Sequence, residues 1–208
     1  MPPSPLARLT RIAGALPDVL TAIACVVVWM SPFAFGRDAV KTVVLMMLME
    51  FLLVHGTAFF TAIAFSDRVR KYKRVLAMLG MQCFYALFLA AFAISFGAWW
   101  PVWVFLWLVV SKAAWIFLDP RDRALEQERQ MKAWTFSVAA YLGAVFAALV
   151  LPLPRLGLGE DVVPQLGLPG SGEWIERPHT AVAAMAIYYV AMATFKWCMD
   201  RPRATPPT

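Results

Sequence analysis

Six apolar stretches, each about as long as a helix needs to be to cross a lipid bilayer, alternate along this chain with short basic runs. A hydrocarbon core about 30 Å thick takes about 20 helical residues. Inside lipid, only a helix or a closed barrel satisfies every backbone N–H and C=O. The stretches run at about 16–35, 40–65, 75–96, 102–118, 133–153 and 179–198. They are continuously apolar over helical lengths, with no strand-like alternation. The expectation is all-α: a polytopic transmembrane helical bundle of about six spans, forming a single integral membrane domain over 1–208. Composition agrees. The chain is 61% hydrophobic and 15% charged, whereas soluble domains are about 45–50% apolar and about 25% charged.

A formal net charge of +6 invites a nucleic-acid reading, but the charge sits in the wrong places for one. There is no recognisable nucleic-acid-binding motif and no basic stripe on a soluble fold. The basic residues flank the apolar stretches instead, which is how membrane orientation is encoded. One set of connections holds Arg8 and Arg11, the run Arg68 to Arg74, the group Arg121 to Lys132, and Lys196, Arg201 and Arg203, fourteen in all. The opposite set holds four: Arg37, Lys41, Arg155 and Arg177. This bias alternates correctly over every loop. It places both termini in the cytoplasm, in a multi-pass protein of a cell membrane (plasma, or inner if bacterial). The basic 66–74 loop should attract anionic lipid headgroups, at about 1 kcal/mol per charge near the surface. A protein partner or a second copy of the chain is compatible with the same architecture.

Arg8 and Arg11 ahead of an apolar run resemble a secretory signal, and Ala22-Ile23-Ala24-Cys25 a lipoprotein cleavage site. Pro17-Asp18 interrupts that region and the run continues to Phe35, so an uncleaved first span is expected. The three cysteines lie in or beside apolar segments, without a CxxC, and read as small buried hydrophobes. No cofactor or metal centre is expected. Small residues at Ala86, Ala90, Ala93 and Gly97, and at Ala139, Gly143 and Ala147, are spaced to let helices approach closely.

Glu50 carries the most functional information. It lies near the middle of the second span, where an ionisable group costs at least ~2.5–3.5 kcal/mol unless paired, protonated or hydrated. His55 follows five residues later, about 140° around a regular helix, so the two do not share a face. Thr57 and Thr61 do align with Glu50 and extend a polar stripe toward the cytoplasm. Lys112 in the fourth span is a counter-charge candidate that is also placed to snorkel. Gln82, Tyr85, Tyr141, Tyr188 and Tyr189 complete the intramembrane polar inventory, as cavity lining or as helix-to-helix contacts. In the outward loop, Glu160, Asp161, Glu173 and Glu176 read as solvated charge, with His179 opening the last span.

HExxH, GxSxG, P-loop and dinucleotide-binding motifs are all absent. Three function classes remain. First is a small transporter or ion- and proton-translocating protein built on Glu50. Second is a non-catalytic membrane subunit or assembly partner whose polar residues hold helices together. Third is a lipid-modifying enzyme with Glu50 and His55 as acid and base. The topology has a direct check in a background with Cys25, Cys83 and Cys198 replaced by Ala. Gln165→Cys should react with a membrane-impermeant maleimide from outside intact cells, and Gln127→Cys only after permeabilisation.

Overall fold

The computed structural model describes residues 5–64, 70–113 and 120–199. Helices dominate: α1 (Pro5–Met30), α2 (Ala39–Ala64), α3 (Lys71–Phe96), α4 (Trp100–Ala113), α5 (Pro120–Val150), the short α6 (Glu173–Glu176) and α7 (Pro178–Met199). Five of them, α1, α2, α3, α5 and α7, contain stretches long and apolar enough to cross a membrane. The protein is an all-α multi-pass membrane protein. The described part of α4 has 14 residues, about 21 Å at 1.5 Å each, and the rest of that expected span lies outside the described residues.

Three helices start earlier than the hydropathy implied: α3 begins at Lys71, so Lys71, Lys73 and Arg74 of the expected 66–74 loop are helical, and α1 and α5 reach further still. The basic segment around Arg8 and Arg11 is the first part of α1, and the charged connector from Pro120 is the first part of α5. Helix continues wherever backbone partners exist, whatever the polarity of the side chains, so polarity marks the membrane boundary rather than the helix end. In the opposite sense, α1 stops at Met30, short of Phe35, because Pro32 has no N–H to donate. The carbonyl freed there finds another donor: Trp29 O accepts from the Gly157 N–H at 3.0 Å, and the Trp29 indole N–H donates to Pro154 O at 3.0 Å. The outer loop is thereby stitched to the end of α1.

Helix α7 is central, packed against α1, α2 and α5. Every residue from Pro178 to Ala186 is buried, as expected of a helix that is apolar all round. In α1 the buried positions are Ala15, Asp18, Ala22, Cys25 and Val28, three or four apart, while Leu16, Val19, Leu20, Ile23 and Val26 face outward. Small side chains point in and large ones out, the arrangement that close helix approach in lipid favours. Leu158 and Leu166 of the outer loop are buried in the same cluster. Helices α3 and α4 form a hairpin on the far side of α2, around Met49, Leu52, Met78, Leu89 and Phe105. Gly97 turns that hairpin at φ +62°, a left-handed conformation natural to glycine, and Pro101 opens α4.

Of the small-residue stripe of α3, Ala93 is buried and Ala86 and Ala90 half-buried, whereas Gly97 is exposed and caps the helix end. On α5 the packing face differs from the expected Ala139, Gly143 and Ala147. Tyr141, Ala144 and Ala148 are buried, whereas Ala139 and Gly143 are exposed. The reason is polar: Ser137 and Tyr141 share the buried face, and both form hydrogen bonds to neighbouring helices.

The loop–α1 junction makes a sharp prediction. A Cβ at Gly157 would lie 2.3 Å from Met30 O and 2.7 Å from Pro32 Cδ, whereas one at Gly143 meets nothing within 4 Å. Gly157→Ala should destabilise the detergent-solubilised protein by about 1–3 kcal/mol, the range for overpacking. Gly143→Ala, scored by the same thermal melt, should be neutral or slightly stabilising.

Candidate functional site: an intramembrane carboxyl cluster

Three helices bring polar side chains together near their centres. From α7, Tyr188 and Tyr189 both reach the Glu50 carboxyl on α2. The Tyr189 hydroxyl donates to Oε1 at 2.9 Å and the Tyr188 hydroxyl to Oε2 at 3.3 Å. Successive residues on a helix point about 100° apart, so the two phenols approach from either side, with ring centroids 5.1 Å apart and planes tilted by 59°. The shorter bond is the stronger one, and 3.3 Å is near the useful limit. From α5, Ser137 Oγ lies 2.9 Å from the Tyr188 hydroxyl. Since Tyr188 gives its proton to Glu50, its oxygen is left to accept from Ser137. The result is a chain of three bonded groups, Ser137–Tyr188–Glu50, with Tyr189 closing the other oxygen.

Helix α5 is also tied to the α2 backbone. Tyr141 OH donates to Met47 O at 3.0 Å, and Trp134 Nε1 donates to Val54 O at 2.8 Å. Donors and acceptors are each seven residues apart and run in opposite senses, as two antiparallel helices require. The Tyr141 ring also meets Tyr188 edge-on, at 5.7 Å and 83°. Such interhelical bonds average about 0.6 kcal/mol each in membrane proteins, so their combined role is to fix register.

A second polar pair lies one step away. Asp18 of α1, only 8% exposed, is 2.6 Å from Lys196 Nζ of α7. Both charges are near enough to Glu50 to act on it electrostatically. Lys196 is seven residues beyond Tyr189, about 10 Å along the helix, toward the end where most basic residues cluster, here called the inner end.

Of the residues singled out by sequence, Glu50, Tyr188 and Tyr189 form this cluster and Tyr141 borders it. His55 is exposed on another face of α2, its Nδ1 2.8 Å from the Phe51 carbonyl of its own helix and its ring 4.2 Å from that of Phe51. Thr57 donates to Leu53 O at 2.7 Å, again within its own helix. Thr61 and Lys112 belong to α2 and α4, but their side chains lie outside the described residues. The cluster adds Asp18, Ser137 and Lys196. Their signal in the sequence was faint: Asp18 follows a proline, and Lys196 was counted with the cytoplasmic charges. In the outer loop Arg155 pairs with Glu160 at 2.6 Å and Arg177 with Glu173 at 3.3 Å. Among the described residues no group of His, Cys, Asp and Glu is arranged to hold a metal ion.

Removing one partner of a buried pair strands the other. Lys196→Met should therefore cost about 1–3 kcal/mol, below the full range for a buried pair because Lys196 is partly exposed, and Asp18→Asn combined with it should restore most of the loss in thermal unfolding. Comparison with protein-family models, curated proteins and solved structures finds no match, so a functional reading rests on this geometry.

Proposed function

We propose that this integral membrane protein is a small translocator, binding a proton or small cation at Glu50 and passing it across the bilayer. The observation that carries the reading is the position of Glu50: a carboxyl near the middle of α2, held by two hydroxyls of α7. Intramembrane ionisable residues in a bundle interior mark ion and proton pathways more often than they mark packing.

Access from the inner end supports it. A cavity of about 420 Å³ opens among the inner ends of α1, α5 and α7 and reaches Met192 and Lys196. Met192 is one helical turn from Tyr188 and Tyr189. Beyond the cluster, α7 is buried from Ala181 to Ala186 in one apolar cluster with Val40, Val44 and Met47 of α2, an apolar seal. Arg129 and Lys196 at the cavity mouth disfavour a metal cation and leave a proton as the better-suited species; beyond the cluster it meets that seal, and crossing requires α7 to shift against α2. The tyrosine–carboxyl bonds span the contact that such a shift would break.

One observation favours the anchoring subunit or assembly partner as a second reading. Both carboxyl oxygens of Glu50 are occupied by tyrosine hydroxyls, and a satisfied group can hold helices without moving anything. The lipid-modifying reading has no comparable support, since His55 and Glu50 face different surroundings.

Flux in proteoliposomes separates the two. Under an imposed proton or cation gradient, wild type should carry flux. Glu50→Gln, which keeps the size and a hydrogen-bond acceptor, should lower flux at least about tenfold, with its melting temperature nearly unchanged. No flux under any gradient, with Glu50→Gln melting several degrees lower, would contradict translocation and favour the anchor.

A further inference from the structure

The cavity that gives access from the inner end also has a wall and a mouth suited to a larger guest than an ion. Its apolar wall is Met192, Phe195 and Met199 of α7, and its mouth carries Arg129 and Gln130 of α5 with Lys196 of α7. Methionine side chains are flexible and polarisable and suit an irregular apolar guest. Phe195 is held by a parallel stack on Phe136, with centroids 4.2 Å apart and planes within 9°, so that wall is rigid where α5 meets α7. Gly14 and Ala133 leave the space open, having little side chain to fill it.

The polar mouth is donor-rich. An ammonium has three N–H donors and a guanidinium five. Asp18 holds the Lys196 ammonium at the cavity wall, 2.6 Å away, and leaves further donors on the same nitrogen. Arg129 is exposed, and its planar fork matches a phosphate alongside its other neighbours. By the alternation of charge along the sequence, fourteen of the chain's 19 Lys and Arg residues fall on the side of the membrane to which Lys196 is assigned, a bias that favours an anion there. Ile12, Leu16 and Leu20 of α1 are exposed on the adjoining surface and offer acyl chains an apolar track.

We propose that this cavity binds one anionic phospholipid, its phosphate between Arg129 and Lys196 and the first methylenes of its chains against Met192, Phe195 and Met199. A volume of about 420 Å³ holds a headgroup and the start of the chains, and the remainder lies along α1. This site is distinct from the basic 66–74 loop, and it does not depend on Glu50 moving an ion.

The test uses the full-length protein in neutral detergent, titrated with phosphatidylglycerol, with phosphatidylcholine or with inorganic phosphate, and read by thermal stability and by lipid adducts in native mass spectrometry. Phosphatidylglycerol should raise the melting temperature and give a one-lipid adduct, while the other two should do neither. Arg129→Gln, at an exposed position that folding tolerates, should weaken the phosphatidylglycerol effect about fivefold, the attraction of one charge at an anionic surface. Ala133→Phe, which fills the cavity without touching a charge, should abolish the adduct, while Arg70→Gln with Lys73→Gln in the basic loop should leave it unchanged. An equal response to phosphatidylcholine, an equal response to free phosphate, or a phosphatidylglycerol effect left undiminished by Arg129→Gln would each overturn the proposal. Should Ala133→Phe prove unstable without lipid, the outcome with Arg129→Gln decides.

Discussion

A carboxyl group placed midway along an apolar helix has no water to turn to, and the packing around Glu50 meets that constraint. An unsatisfied polar group in lipid costs several kcal/mol, so some helix must bring donors to the same depth. Helix α7 does so with two adjacent tyrosines, Tyr188 and Tyr189. That requirement sets the rotation of α7 about its own axis and its depth relative to α2. Once α7 is fixed, Ser137 can reach Tyr188 and Tyr141 can reach Met47 O, which settles the face that α5 turns inward.

Close approach makes these bonds reachable. Lipid gives helices no hydrophobic reason to associate, so contact depends on small side chains at the seam and on polar groups that pair across it. Ala15, Ala22 and Cys25 are small buried side chains of α1, and Ala181, Ala183, Ala184 and Ala186 those of α7. The Asp18–Lys196 pair lies in the same seam and links α1 to α7 as Glu50 links α2 to α7. The α3–α4 hairpin stands apart, on the opposite side of α2, in a cluster dominated by large apolar side chains. The molecule thus has a polar-centred group of α1, α2, α5 and α7, and a hairpin that packs on α2 through large apolar side chains and joins the main core at Phe96.

Much of this was legible in the sequence because hydropathy and length are local properties. The extents of α2, α3 and α7 lie within a few residues of the expected spans, and Glu50 was identifiable because a single charge in an apolar run is conspicuous. Helix neighbours were not legible. Nothing local says that Glu50 faces Tyr188 and Tyr189 rather than Thr57, since a helix periodicity groups residues of one helix and is silent about the next. Threonine in particular satisfies itself by bonding back to its own helix, as Thr57 does to Leu53 O, so a stripe of hydroxyls on one face is weak evidence of a path. Lys196 was counted with the inner charges that orient the chain, yet the same side chain pairs with Asp18 inside the bundle. Composition cannot separate those two roles. Geometry does.

The most direct measurement is a double-mutant cycle between Glu50→Leu and Tyr189→Phe, with unfolding free energies measured in the same detergent for the wild type, both single variants and the double variant. If the tyrosine–carboxyl bond joins α2 to α7, the two substitutions will be non-additive, with a coupling of about 0.5 kcal/mol or more, the scale for residues in direct contact. Additivity within about 0.3 kcal/mol would mean that Glu50 and Tyr189 do not interact, and would contradict the account of how this bundle accommodates its buried carboxyl.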